Sequence, residues 1–187
     1  MTSDEQYIRR ALDLARDGIG LVSPNPAVGA VVVDAAGNEV GAGTHTYNGV
    51  KHAEVLALDQ AGGRARGGTL YLNLEPCSHQ GRTPPCADAV IAAGIARVVC
   101  SMQDPNPQVS GQGLAKLRAA GIQVEVGPLE AEAKKLNEGF AKYIRRGIPL
   151  VTLKAAMTTV RLQPFTVLRS TSIFTGTPLV TVSGVTT

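Results

Sequence analysis

The apolar positions of the chain alternate between a helical and an extended period, and the alternation predicts most of the fold. Ile8, Ala11, Leu12 and Ala15 fall on one helical face, with Ser3 and Gln6 placed as a capping box and Gly18 as the stop. Ser23-Pro24-Asn25-Pro26 follows as a loop whose prolines hold the backbone rigid. Val28 to Val33 is a β-branched run that predicts a buried strand. Glu39 to Thr44 returns as its hairpin partner across Ala35-Ala36-Gly37-Asn38.

Beyond the hairpin, helical and extended patterns take turns. Helices are predicted over His52 to Ala61, closed by Gly62-Gly63, over Pro85 to Ala93, stopped by Gly94, and over Gly113 to Ala120. Strands are predicted over Thr69 to Leu74, Arg97 to Met102 and Ile122 to Val126, and one long amphipathic helix over Glu130 to Arg146. A hairpin followed by alternating helices and strands predicts an α/β fold with helices on both faces of one sheet.

Composition narrows the classes. A chain of 187 residues with 44% hydrophobic and 18% charged residues has room for one domain with a real core and a short extra segment. After Gly147 the acids vanish and Thr becomes frequent. Lys154, Arg161 and Arg169 alone account for the net charge of +3, so the chain divides into residues 1–147 and a distinct segment, 148–187. A basic balance located in a tail, with 4% aromatics and no Trp, argues against a nucleic-acid partner. No apolar run is long enough to span a membrane, and no apolar stretch follows the first charges as in a signal peptide. Three cysteines form no disulfide framework, which points to a reducing compartment and makes the cytoplasm the expected location.

The chemistry concentrates in a few residues. His52 and Glu54 stand at the start of one predicted helix, and Cys86 at the start of another, with Cys77 on the loop before it. His52, Cys77 and Cys86 form a donor set suited to Zn²⁺ with a fourth position open, and thiolates are stabilised near helix N-termini. Two thiolates and an imidazole acidify a bound water less than three histidines do, so a positioned base is needed, and Glu54 lies beside the metal ligands. An isolated His-x-Glu is usually surface, and two cysteines can be buried thiols; the combination carries the reading. Zinc deaminases have H-x-E followed by P-C-x-x-C. Here Pro76-Cys77 is kept, but the second cysteine comes nine positions later.

Residues 22–147 resemble the deaminase half of the riboflavin-biosynthesis deaminase–reductase family. The resemblance is carried by Pro24-Asn25-Pro26-Ala27-Val28-Gly29, His52-Ala53-Glu54, the whole run Glu75 to Cys86, and Asp104-Pro105-Asn106-Pro107. It implies a three-layer α/β/α cytidine-deaminase-like fold and zinc on His52, Cys77 and Cys86. It implies Glu54 as the catalytic proton carrier and a substrate among Asn25, His45, His79, Arg82, Asp104 and Asn106. That substrate is a phosphorylated pyrimidine, 2,5-diamino-6-(5-phosphoribosylamino)pyrimidin-4(3H)-one, which loses its 2-amino group as ammonia. Arg82 suits a bidentate grip on phosphate.

Blander roles stay open for several of these residues. His45 suits a solvated turn, His79 and Arg82 a brace for their loop, and Asp104 with Asn106 an Asx turn. Cys100 reads as a small core residue. Pro149 to Met157 still resembles the first strand of the family's reductase domain, but the pattern is lost from Thr158 onward, and 30 residues are too few for a dinucleotide-binding fold. No reductase activity is expected; a separate reductase and a homo-oligomer are the expected partners. A deaminase of another base, and a zinc-holding subunit without catalysis, are the alternatives.

Overall fold

The computed structural model describes residues 2–153, apart from 82 and 108. Its five-stranded sheet has the order β2-β1-β3-β4-β5, from β1 (Gly29–Val33), β2 (Glu39–Thr44), β3 (Thr69–Leu72), β4 (Arg97–Cys100) and β5 (Gln123–Val126). β1 runs antiparallel to β2 and β3, whereas β3, β4 and β5 are parallel. β3 and β4 are short, largely buried runs because helices cover both of their faces, whereas β5, at the edge of the sheet, alternates between exposed and half-buried positions.

α1 (Ser3–Asp17) packs on one face with α5 (Glu130–Leu136) beside it. α2 (Ala53–Ala61) lies on the other face, followed by α3 (Cys86–Ala92) and α4 (Gln112–Ala119). This is the three-layer arrangement that the alternating pattern predicts. Ile8, Leu12, Val31, Val32, Leu70, Leu72, Val98 and Val99 are fully buried between the layers, each contributing about 1.5–3 kcal/mol of transfer free energy.

Gly41 and Gly43 explain how α2 comes so close. A Cβ at Gly43 would stand 2.2 Å from the carbonyl oxygen of Ala53, and one at Gly41 2.0 Å from that of Ala57. Bare backbone on β2 meets the alanine face of α2, which sets the height of the helix start that carries His52 and Glu54.

Two local expectations are corrected. The capping box of α1 sits one residue earlier than the Ser3–Gln6 pairing: the Thr2 hydroxyl accepts from the Glu5 N–H, and the Glu5 carboxylate accepts from the Thr2 N–H. An ionised carboxylate at a helix N-terminus outcompetes the neutral Gln6 amide. The expected helix 130–146 is two helices, α5 and α6 (Glu138–Arg146), broken at Asn137. Asn137 is buried, and its side chain is spent on the backbone of Ala27: Oδ1 accepts from the Ala27 N–H at 2.8 Å, and Nδ2 donates to the Ala27 oxygen at 3.0 Å. The tertiary bonds outweigh continuity of the helix.

The other helices and strands agree with their expected positions to within a few residues. A compact unit runs over Met1–Val151, and residues 148–153 form no regular element. The rest of the segment expected to begin at 148 lies outside the described residues.

Candidate active site

One edge of the sheet collects every loop that carries a candidate residue. β3 and β4 end there, so the chain after Leu72 and after Cys100 emerges side by side, tied by the Glu75 N–H to the Met102 oxygen at 3.0 Å. β1 is antiparallel to β3 and begins at the same edge, and β2 ends opposite β1, so Gly29 pairs with Thr44. The loops around residues 25, 45, 75 and 104 therefore meet, although residue 104 lies 79 positions after residue 25. A crevice at the carboxyl ends of parallel strands is the usual binding place in open α/β sheets.

His52 is the N-cap of α2, and Cys86 opens α3 behind Pro85. His52 Nδ1 lies 3.1 Å from Cys86 Sγ and 3.6 Å from Cys77 Sγ, and all three donor atoms fall within 4.8 Å of one another. Donors at zinc bond lengths in a tetrahedron stand about 3.5–3.8 Å apart. The donor set therefore fits one zinc ion with little adjustment.

The protonation pattern fits a dication too. The hydrogen bond with the Cys86 thiol, and after it that with His52, pulls the Cys77 thiol far below its ordinary range. The same Cys77 contact and burial push Cys86 upward. Cys77 Sγ also accepts the Cys86 backbone N–H at 3.3 Å at the start of α3. His52 is raised, chiefly by its hydrogen bond to Cys77. Metal binding displaces such protons.

Glu54 sits in the first turn of α2, only 3% exposed. Burial pushes its carboxyl up to about 7, opposed by its own backbone N–H and by His52. A carboxyl poised near neutral pH can both take and give a proton.

His52, Cys77 and Glu54 open onto a cavity of about 300 Å³, with Cys86 buried behind them. Asn25, His45, His79, Asp104 and Asn106 all line it, so the structure gathers the predicted substrate residues it describes. Arg82 lies outside the described residues. Among the described residues lining the cavity there is no lysine or arginine. Among the described residues lining a larger cavity of about 530 Å³ beside α6 there are neither charged side chains nor metal donors.

His45 is buried, not a solvated turn residue. Burial lowers its pKa and favours the neutral ring. Its Nδ1 lies 3.3 Å from the Lys51 oxygen, which can only accept, so Nδ1 carries the hydrogen. Nε2 then accepts from Asn25 Nδ2 at 3.1 Å, which fixes the orientation of the Asn25 amide. Asp104 does form the Asx turn, accepting the Asn106 N–H at 2.8 Å, and its carboxyl is raised mainly by burial. Cys100 is a core residue, fully buried.

Three residues shape this site without having been singled out. Asn73 accepts the Gly29 N–H and donates to the Ala27 oxygen, both at 2.9 Å, so Asn73 and Asn137 together clamp the loop that carries Asn25. Glu75 accepts backbone N–H groups from the loop that carries Asp104. A lone polar residue next to an apolar strand, as Asn73 is, and a polar residue inside an amphipathic helix, as Asn137 is, were the available signals.

The sequence pattern described as the cytidine and deoxycytidylate deaminase zinc-binding region matches residues 1–102. The chain belongs to this family. Within it, the chain is 57% identical over 151 residues to the riboflavin biosynthesis protein RibD of Escherichia coli K12, covering 81% of this chain and 41% of that protein. It is 48% identical to the diaminohydroxyphosphoribosylamino-pyrimidine deaminase of Buchnera aphidicola subsp. Schizaphis graminum, over 78% of this chain and 99% of that one. Among solved structures, Acinetobacter baumannii RibD superposes with a TM-score of 0.75 at 47% identity, over 79% of this chain and 41% of that chain. The chain thus spans about two fifths of the length of the RibD proteins it matches. The matched zinc-binding region, residues 1–102, includes His52, Cys77 and Cys86, the group able to hold a metal. Among the described residues, no helix is long and apolar enough to cross a membrane.

Proposed function

We propose that this chain hydrolyses 2,5-diamino-6-(5-phosphoribosylamino)pyrimidin-4(3H)-one to 5-amino-6-(5-phosphoribosylamino)uracil and ammonia. The observation that carries this reading is the match to the Buchnera aphidicola deaminase over almost that protein's whole length. The donor set, the buried Glu54 and the cavity between them support it.

His52, Cys77 and Cys86 hold the zinc. When bound, zinc supplies a Lewis acid that makes water a competent nucleophile near neutral pH. Glu54 takes a proton from the attacking water and hands it to the ring nitrogen beside the amine-bearing carbon. It then moves the second water proton to the departing amine. The carbon gains an oxygen, the C–N bond breaks, and ammonia leaves. Val28, Leu74 and Phe140 give the cavity apolar walls for the pyrimidine ring. Asn25, held by His45, and Asp104 and Asn106 meet its polar edge. His79 and Arg82 take the phosphate. Residues 1–147 carry this activity, a separate reductase consumes the product, and the enzyme is a homo-oligomer in the cytoplasm.

The test is ammonia release from the diaminopyrimidine phosphate, with zinc measured on the same sample and cytidine, guanine and deoxycytidylate as competitors for the reading. One zinc per chain and turnover of the diaminopyrimidine alone is the expected result. Faster turnover of another base overturns the substrate, and zinc without turnover of any base overturns the catalytic reading.

A further inference from the structure

Glu75 is buried, 5% exposed, and its carboxylate makes no salt bridge among the described residues. Among the described residues its hydrogen-bond donors are all backbone N–H groups. Oε2 accepts the N–H of Asp104 at 3.0 Å and of Gly111 at 2.9 Å; Oε1 accepts the N–H of Gly113 at 2.9 Å and of Leu114 at 3.4 Å. These donors span the loop after β4 and the first turn of α4. Gly111 is the N-cap of α4, so the carboxylate supplies the cap that no side chain of the helix provides.

The packing is as tight as the bonding. A Cβ at Gly113 would stand 2.0 Å from the Pro76 oxygen, so bare backbone of α4 rests directly on the segment leading to Cys77. One residue thus connects two halves of the cavity. On one side of Glu75, two positions along the chain, is a metal donor. On the other, across its hydrogen bonds, is the loop that presents Asp104 and Asn106.

We propose that Glu75 is a positioning residue: its carboxylate locks residues 104–114 to the Pro76-Cys77 segment, so the substrate-facing loop keeps a set distance from the metal. This rests on the proposed deaminase function for its kinetic part only. An amide cannot replace the carboxylate here. Whichever way a glutamine turns, its NH₂ faces two backbone N–H groups that then lose their acceptor.

Glu75→Gln is therefore expected to keep one zinc per chain and to raise KM for the diaminopyrimidine phosphate at least tenfold, with kcat within about threefold of wild type. Val31→Ala, a core substitution in β1 remote from the loop, is the stability control and should leave KM unchanged. Hydrogen exchange supplies a readout independent of substrate: amides of residues 103–114 should exchange faster in Glu75→Gln, with α1 and β1 unaltered. If Glu75→Gln does not fold, Gly113→Ala decides, since it pushes α4 off Pro76 and should give the same local exchange and KM change. Unaltered exchange across 103–114 in a zinc-loaded variant overturns the proposal, whatever base the enzyme prefers. Faster local exchange with an unaltered KM overturns the link to substrate alone, and failure of wild type to turn over the diaminopyrimidine bears only on the substrate.

Discussion

The two walls of the cavity are built by different means. The metal wall is local: His52 and Glu54 share the start of α2, and Cys86 opens α3 only nine residues after Cys77. The recognition wall is assembled at long range. The loop with Asn25 is held by Asn73 and Asn137, and the loop with Asp104 by Glu75. On one wall the candidate residues His52, Glu54 and Cys86 stand at helix starts, whereas on the other the loops are held by buried polar side chains spent on backbone. The first wall should fail in catalysis when altered, the second in stability and binding.

The largest effect is expected at the metal wall. Cys86→Ser should lose zinc and all measurable ammonia release, with a marked fall in Tm, because binding of a structural ligand set contributes folding free energy. Metal analysis and thermal melting check this, and an unchanged zinc content would remove the site as drawn. Glu54→Gln separates chemistry from folding. It should keep zinc and the fold but lose activity by more than the ~10²–10⁴-fold usual for one acid–base group, since Glu54 serves several transfers. A tenth of the wild-type rate would contradict that role.

Asn137→Ala probes the other wall. It leaves the Ala27 N–H without its acceptor, and removes one of two donors to the Ala27 oxygen, for a cost of about 2–3 kcal/mol in chemical unfolding. KM should rise while kcat and zinc content hold. Equal losses in kcat would mean that the two walls are not separable.

The smallest effect belongs to a contact far from either wall. Arg97 grips Asp4 through two bonds of 2.8 Å, and the Tyr71 hydroxyl donates to the same carboxylate. Arg97 holds the Asp4 carboxyl below its usual range. Stability from this contact is fully present above the ordinary aspartate pKa and is lost as pH falls through the lowered one. Asp4→Asn should cost about 1 kcal/mol at pH 7 and flatten the decline in Tm below pH 4, with no effect on activity.

The same contrast explains what was legible in the sequence. Period and punctuation marked nearly every element because those signals lie within a few residues of one another, and the metal triad was marked by residue types that are uncommon together and by their flanking prolines. Asn73 and Asn137 carried no such signal. Their partner, Ala27, lies 46 and 110 residues away, and a buried asparagine reads as an exposed one until the chain has folded. Glu75 stood inside the most specific run of the chain, yet its four donors lie 29 to 39 residues downstream. The one long helix expected over 130–146 erred for this reason: amphipathic period continues through Asn137, and only the distant loop makes the break worthwhile.

That break sets a lower limit on how much chain the chemistry needs. The candidate metal donors and Glu54 all lie before residue 87, and the last strand ends at Val126. A gene trimmed at that strand would still encode His52, Glu54, Cys77 and Cys86. It would, however, discard the asparagine that holds the loop of Asn25 and the Phe140 side chain that walls the cavity. The smallest transplantable form of this enzyme therefore ends beyond α6. Any fusion, circular permutation or library built on the chain should treat residues 130–146 as part of the catalytic cartridge, not as linker.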